Sequence, residues 1–278
     1  MAHSTTTLVN QMQMYLPDLK KPRAWWVLQL NKAYRKVVRE LHVHYLNELQ
    51  TLQEDIPLDS DGYFDLGNLT TAINDKHRGI IIIRYDGGQP ADLISHDEYK
   101  ELLYDQTTPG QDNPVYMSWG DKIRCWPHST LTDVATGSLV VGTKYYNLGY
   151  TSVTYNGSAY TDTQGFTCVA GVLTYTTSGS GIVAASPQLI DIYYLKAFTD
   201  MDETTTSCLL SDEVKEIIAQ IACGKYNPDE YAIGMQLLNE MNDSAYATDS
   251  NRTGRGPMDY LESNRRGGEG YFDITINT

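Results

Sequence analysis

Long apolar runs are missing from this chain. Its longest aliphatic run, Ile80 to Ile83, is far too short to cross a membrane, so no membrane partner is expected. No basic region followed by an apolar run opens the sequence, and no secretory leader is expected. Cysteine is sparse. Cys125, Cys168, Cys208 and Cys223 show no C-x-x-C spacing, which argues against a zinc cluster or a disulfide framework and for a reducing cytoplasm. Cations are few as well: 21 Lys and Arg stand against 35 Asp and Glu, a formal net charge of −14. A chain this acidic is not built to coat nucleic acid, because affinity for phosphate backbones comes from clustered cations.

Motifs of chemistry are also missing. No G-x-x-x-x-G-K-[ST] loop, H-E-x-x-H pair or G-x-S-x-G elbow occurs. His42-x-His44 would set two imidazoles on one face of a strand, but no third metal ligand lies near in sequence. Asp55, Asp59, Asp61 and Asp65 are spaced like oxygen ligands, yet the calcium-loop order of glycine and glutamate is not matched, so they read as an acidic turn. Nothing selects a carboxylate pair for glycoside hydrolysis. Arg252-Thr-Gly-Arg-Gly-Pro257 and Arg265-Arg-Gly-Gly268 read as linker rather than as phosphate contacts. No catalytic residue, cofactor or metal ligand is therefore assigned, and no enzyme is expected.

What the chain does contain is material for packing, and at 278 residues it is long enough to bury a sizeable core. Gln188 to Lys196 is β-branched and aromatic, a largely buried strand. Ser211-Asp-Glu then caps a helix with apolar positions Val214, Ile217, Ile218, Ile221 and Ala222, which ends near Gly224. Asn227-Pro-Asp-Glu230 starts another, carried by Tyr231, Met235, Leu238 and Met241 or Asn242 as far as Ala247. At the other end, Leu8, Met12, Tyr15 and Leu16 fit a short helix. Pro22 precedes a stronger one, Arg23 to about Leu41, with Trp26, Leu30, Ala33, Val37 and Leu41 on one stripe. The paired Trp25 and Trp26 read as core anchors.

Between these ends the signals are β. Tyr45 to Leu52 alternates loosely, and Asp59 to Gly62 is a turn cluster. Gly79 to Tyr85 is the clearest strand, expected to be buried on both faces at its centre, with a hairpin-type turn at Asp86-Gly-Gly88. Ser95 and Glu98 form a capping box for a short helix. Val115–Trp119 and Lys122–Trp126 make a second hairpin, ended by Pro127. Gly137 to Ala185 carries only Lys144 and Asp162 as charges. Its Thr, Val and Tyr runs are punctuated by glycines, and Asn156-Gly157 marks a two-residue hairpin. This stretch reads as a small inserted β module. The helices of the two chain ends, separated by all the β structure, must then meet in space.

Charge and sequence pattern single out two candidate contact surfaces. Residues 20–44 carry seven Lys and Arg against Glu40 alone, a local net of +6 in an acidic chain. Lys32, Arg35, Lys36 and Arg39 lie off the apolar stripe and read either as a solvated face or as a docking surface for an acidic partner. Thr248 to Gly270 loses all periodicity, and Tyr271-Phe-Asp-Ile-Thr-Ile276 regains strand character. Tyr271, Phe272, Ile274 and Ile276 read either as a frayed terminus or as a strand that adds to a neighbour's sheet edge.

The order of parts resembles the head-to-tail connector (adaptor, or neck-ring) proteins of tailed bacteriophages. The likeness rests on an N-terminal helix over Trp25–Leu41, then Gly79-Ile-Ile-Ile-Ile-Arg-Tyr-Asp-Gly-Gly88, His96-Asp-Glu-Tyr99, Tyr116-Met-Ser-Trp-Gly-Asp-Lys-Ile-Arg-Cys-Trp-Pro127, Leu189–Leu195 and a capped two-helix ending. It covers roughly residues 22–133 and 187–247, and the 145–175 stretch is similar to small Tyr-Asn-Gly β modules of virion proteins. The resemblance implies an α+β fold: a helical bundle from both chain ends, a central β region and an inserted small β module. Its expected parts are 1–45 plus 208–247, 46–136 plus 186–207, 137–185, and an arm over 248–278. It implies a virion structural protein of the neck, assembled in the host bacterial cytoplasm, with about twelve copies in a closed ring below the portal. The expected partners are the portal, a tail or second neck-ring protein, and genomic DNA passing without specific binding. The rival expectation is a decoration or glycan-binding module that uses the Tyr/Thr-rich insertion.

Overall fold

The computed structural model describes residues 5–76, 79–85, 88–104, 109–110, 112–129, 131–134, 137–162, 164–176, 181–203 and 208–253. In chain order these form α1 (Thr5–Tyr15), α2 (Arg23–Glu40), β1 (Gln50–Pro57), β2 (Tyr63–Asp65), β3 (Ile80–Tyr85), β4 (Asp92–Leu93) and α3 (His96–Tyr104). The hairpin β5 (Val115–Trp119) and β6 (Lys122–Trp126) follows. Then come β7 (Lys144–Asn147), β8 (Ser152–Tyr155), β9 (Ser158–Ala159), β10 (Phe166–Thr167), β11 (Leu173–Thr176) and β12 (Ile182–Ala184). The series ends with β13 (Leu189–Leu195), α4 (Asp212–Cys223) and α5 (Pro228–Thr253). The fold is α+β. Contacts divide the chain into two compact units, Met1–Gln50 together with the chain from Ala197, and Thr51–Lys196.

In the first unit α4 packs against α1, α2 and α5. It is buried almost all round, from Val214 to Cys223 with Glu216 excepted. Lys215 is buried along its stem and reaches Asp212 at 3.1 Å. From α2 come Trp26, Leu30, Ala33, Tyr34, Val37 and Val38, the stripe expected from the sequence, and from α1 Leu8, Val9 and Met12. Burying each large aliphatic or aromatic side chain of this kind stabilises the fold by roughly 1.5–3 kcal/mol. Gly234 lets α5 come close to α4, since a Cβ there would lie 2.9 Å from the Gln220 Cβ and 3.1 Å from the Ile221 nitrogen.

Polar side chains tie distant segments of this unit together. Asn31 bonds both the carbonyl and the N–H of Met201, each at 2.9 Å. Asn242 accepts from the His42 N–H at 2.7 Å and donates to the Glu40 carbonyl at 2.9 Å, holding the chain as it leaves α2. Asn227 caps α5 through the Glu230 N–H and also donates to the Tyr15 carbonyl. The segment 197–203, grouped with the β region on sequence, falls in this unit, with Phe198 against the Tyr34 ring.

The second unit contains two sheets around one core. β1, β13 and β3 form one, with Ile192 opposite Ile83 and Ile190 opposite Tyr85; β2, β6, β5 and β4 form the other. Ile56, Leu58, Phe64, Ile83, Tyr116, Ile123, Cys125, Ile190, Ile192 and Tyr194 meet between them. In the insertion, the sheets β10-β7-β12 and β11-β8-β9 enclose a second core of Tyr145, Val153, Cys168, Leu173 and Ile182. Asn156 and Gly157 both have positive φ, 51° and 79°, as the tight turn between β8 and β9 requires.

Several expectations are corrected. β3 is not buried on both faces: Ile83 and Tyr85 are buried, Ile80 to Ile82 half-buried and Arg84 exposed, because only one face meets a core. Tyr45 to Leu49 is not strand. Two 3-10 turns, Val43–Tyr45 and Asn47–Leu49, roll Leu46 and Leu49 into the interior before β1 begins. Helix α5 runs past Ala247 to Thr253. Ser211 occupies the cap position of α4 but makes no side-chain cap bond, whereas the Ser95–Glu98 box forms both of its bonds, at 2.5 and 3.2 Å.

Candidate docking surface

The four cations singled out on α2 project from the side away from its buried stripe, and the structure divides them. Arg35 is engaged: its guanidinium makes a two-pronged contact with the Asp200 carboxylate. Both side chains are open to solvent, 61% and 44%, so the pair is worth only about 0–1 kcal/mol. Lys36 is engaged too, with Nζ donating to the Tyr231 hydroxyl at 2.7 Å, 5.2 Å from that ring's centre and 4.0 Å from Glu40. Lys32 and Arg39 are exposed and have no hydrogen-bond or ion-pair partner among the described residues. Among the described residues, two of the four cations are thus left without a partner.

Two grooves adjoin this basic stretch. One of about 160 Å3 is lined by Lys32, Ala33, Lys36, Ile221 and Tyr231, so cations sit beside an apolar wall. A wider one of about 570 Å3 lies where α1 turns into α2, lined by Gln13, Leu16, Pro17, Lys20, Lys21 and Trp26. The Trp26 indole is fixed there by its Nε1–H on the Lys21 carbonyl at 3.0 Å.

An opposite surface lies on α5 in the same unit. Asp229, Ile233, Gln236, Glu240 and Asp243 are exposed and recur at helical spacing, with Gln236 bonded to Glu240 at 2.8 Å. No Lys or Arg occurs between Pro228 and Asn251. Sequence reasoning did not single this face out, though the run of 26 residues without a cation, Tyr226 to Asn251, was its available signal. The arm residues Tyr271, Phe272, Ile274 and Ile276 lie outside the described residues.

Groups that resembled chemical sites serve local structure. His42 and His44 are not paired on a strand: His42 Nδ1 accepts from the His44 N–H at 3.2 Å, and its ring meets Tyr246. The Asp59 carboxylate accepts from the Asp61 and Tyr63 N–H groups, and Asp65 from the Gly67 N–H, so these carboxylates close turns. Among the described residues no group of three or more His, Cys, Asp or Glu gathers to hold a metal ion. All four thiols are buried. Burial pushes Cys223 up to about 11 and raises Cys125 and Cys208 as well, so these sulfurs stay protonated and unreactive near neutral pH.

One cluster in the second unit had no signal in the sequence. The Arg124 guanidinium lies 4.9 Å from the Tyr63 ring, 4.8 Å from Trp126 and 5.6 Å from Tyr99, and it donates to the Tyr99 hydroxyl and the Asp61 carbonyl. His128, beside it, has a buried Nδ1 with no hydrogen-bond partner among the described residues, and burial, with Arg124 next, holds its pKa below the ordinary value. Bonded through Nε and Nη1 and lying against three rings, Arg124 staples β6 to α3. The chain matches no protein-family model and no curated protein.

Proposed function

We propose that the chain is a non-enzymatic virion structural protein, a subunit of a head–tail connector ring that sits below the portal, joins capsid to tail and lets DNA pass. The observation that carries this reading is the closure of the chain on itself. Helices from 5–40 and 212–253 pack in one unit, while the β-rich stretch 51–196 leaves from it and returns to it. That is the order of parts in the connector resemblance, and in this reading the four helices are the bundle of the connector domain.

A ring subunit needs adhesive faces rather than a pocket. The exposed Lys32 and Arg39 on α2 and the acids of α5 supply faces of opposite sign, which suit a neighbour in the ring or an acidic partner. Contacts repeated around about twelve copies become strong although each is weak. The remaining acidity suits a DNA conduit, because like charge lets the duplex slide without being held. The partners are the portal above and a tail or second neck-ring protein below. Assembly takes place in the host cytoplasm, where free thiols persist.

The test is to purify the protein alone and with the portal candidate of its genome, and to image both by negative-stain electron microscopy. Rings or a portal-bound collar are expected; free monomers in both samples overturn the reading. The separate core of the insertion favours one rival, a decoration or glycan-binding module. Deleting 137–185 discriminates, since a connector still forms rings and a binder loses its activity.

A further inference from the structure

Four of the most exposed apolar side chains of the described residues belong to the insertion. Val140, Val141, Val169 and Val172 are 63%, 66%, 78% and 63% exposed. They sit on two loops that are bonded to each other: Gly142 N–H donates to the Cys168 carbonyl at 2.6 Å, and Cys168 N–H to the Thr143 carbonyl at 2.9 Å. Each loop is also held from below. Val140 N–H donates to the Tyr145 hydroxyl at 2.7 Å, Val169 N–H to the Tyr155 hydroxyl at 3.1 Å, and Val172 N–H to Asn156 Oδ1 at 3.0 Å. The valines are therefore presented to water by a fixed backbone. Clustered apolar exposure of this kind marks a protein contact. A glycan would call instead for polar groups around an aromatic platform. The insertion carries only Lys144 and Asp162 as charges, so its partner must be nearly uncharged where they meet.

The chain itself contains a segment of that chemistry. Tyr271-Phe-Asp-Ile-Thr-Ile276 alternates, so that an extended backbone puts Phe272, Ile274 and Ile276 on one face, with about 6.6 Å between successive apolar residues. The other face, Tyr271, Asp273 and Thr275, is polar. Helix α5 runs to Thr253, and the 17 residues 254–270 would span up to about 60 Å if extended. The receiving surface also has an end strand at hand among the described residues. β11 begins one residue after Val172 and ends its three-stranded sheet, so an arriving strand can add main-chain hydrogen bonds to its apolar contacts.

We propose that Phe272, Ile274 and Ile276 of one copy dock on Val140, Val141, Val169 and Val172 of a second copy, extending the β11-β8-β9 sheet. The contact needs only two copies of the chain and does not rest on the connector reading.

The test is a complementation experiment on the full-length protein, followed by sedimentation velocity in about 0.5 M salt, which screens the charged faces of α2 and α5. One variant, V141D/V169D, keeps the strand and loses the patch. The other, F272D/I274D, keeps the patch and loses the strand. Wild type is expected to self-associate, and each variant alone to do so at least about ten-fold more weakly, as loss of central apolar anchors predicts. An equimolar mixture of the two is expected to recover a one-to-one complex, because one intact strand then meets one intact patch. Three results each overturn the proposal: wild type that stays monomeric, a mixture that associates no better than its components, or F272D/I274D that associates like wild type. The last would assign the valines to a patch-on-patch contact.

Discussion

In the helical unit the cohesion is inside and the charge outside; in the insertion the two are arranged differently. α4 is enclosed by three other helices, asparagines pin backbone across more than a hundred residues of sequence, and the solvent faces carry Lys32, Arg39, Asp229, Glu240 and Asp243. The insertion has a smaller core and almost no charge. It fixes its loops from within through tyrosine hydroxyls, those of Tyr145 and Tyr155 accepting from Val140 and Val169 and that of Tyr175 donating to the Val134 carbonyl. Val140, Val141, Val169 and Val172 are left exposed on those loops. The contrast explains the composition. With 21 Tyr against 4 Phe, the chain has an aromatic that fills a small core and also ends a loop's backbone demand. The two regions also differ in the contacts they suit: salt-sensitive ones for the helices, salt-tolerant ones for the insertion.

The sharpest way to break this comparison is to empty the helical core. Trp26 is 1% exposed, packs edge-on to Trp25 at 4.9 Å and is bonded through its indole. Trp26→Ala is expected to cost about 3–5 kcal/mol, read as a fall in the urea midpoint of the helical circular-dichroism signal. A loss below about 1 kcal/mol would show that the helices do not depend on this anchor. Next comes the asparagine pin. Asn31→Ala leaves the buried N–H and carbonyl of Met201 without their partner and is expected to cost about 2–3 kcal/mol in the same measurement. A cost near zero would mean that water replaces both bonds.

The matching change in the insertion is smaller. Tyr145→Phe keeps the buried ring and removes only the acceptor for the Val140 N–H. It is expected to cost about 0.5–1.5 kcal/mol. Amide hydrogen exchange should quicken at Val140 while the amides of β7 stay protected. Equal loosening of both would mean that the hydroxyl supports the whole module rather than one loop.

Legibility from the sequence tracks how local each interaction is. The Ser95–Glu98 box, the Asn156-Gly157 turn, the Val115–Trp126 hairpin and the stripe of α2 involve residues a few positions apart, and spacing alone revealed them. The end of α5 was missed because Asp249, Ser250 and Asn251 are polar on every side, and a helix continued by its own backbone leaves no apolar period to read. The turns at Val43–Leu49 were missed because burial of Leu46 and Leu49 overrides a loose alternation. At the candidate docking surface, the sequence located the four cations but not their state. Arg35 meets Asp200 across 165 positions and Lys36 meets Tyr231 across 195, and no spacing rule joins them. The Arg124 cluster is hidden for the same reason, its rings coming from β2, α3 and β6.

The smallest expected effect on stability belongs to the surface with the largest expected effect on assembly. Lys32 and Arg39 touch no partner among the described residues, so Lys32→Glu with Arg39→Glu should leave stability within about 0.5 kcal/mol of wild type. Arg35→Gln, which breaks the exposed pair with Asp200, should cost at most about 1 kcal/mol and serves as the control for a cation already engaged. If the α2 face docks an acidic surface, the double reversal weakens ring or portal-collar formation at low salt far more than the Arg35 change does. The difference between the two then shrinks as salt is added, because screening removes what the reversal altered. Should both variants assemble like wild type at low salt, the cations are a solvated face and contact must run through the apolar surfaces. Should the double reversal instead unfold the helices, Lys32 and Arg39 belong to the interior economy of the unit, and the division between an inward-holding core and an outward-facing charge fails where it was most firmly drawn.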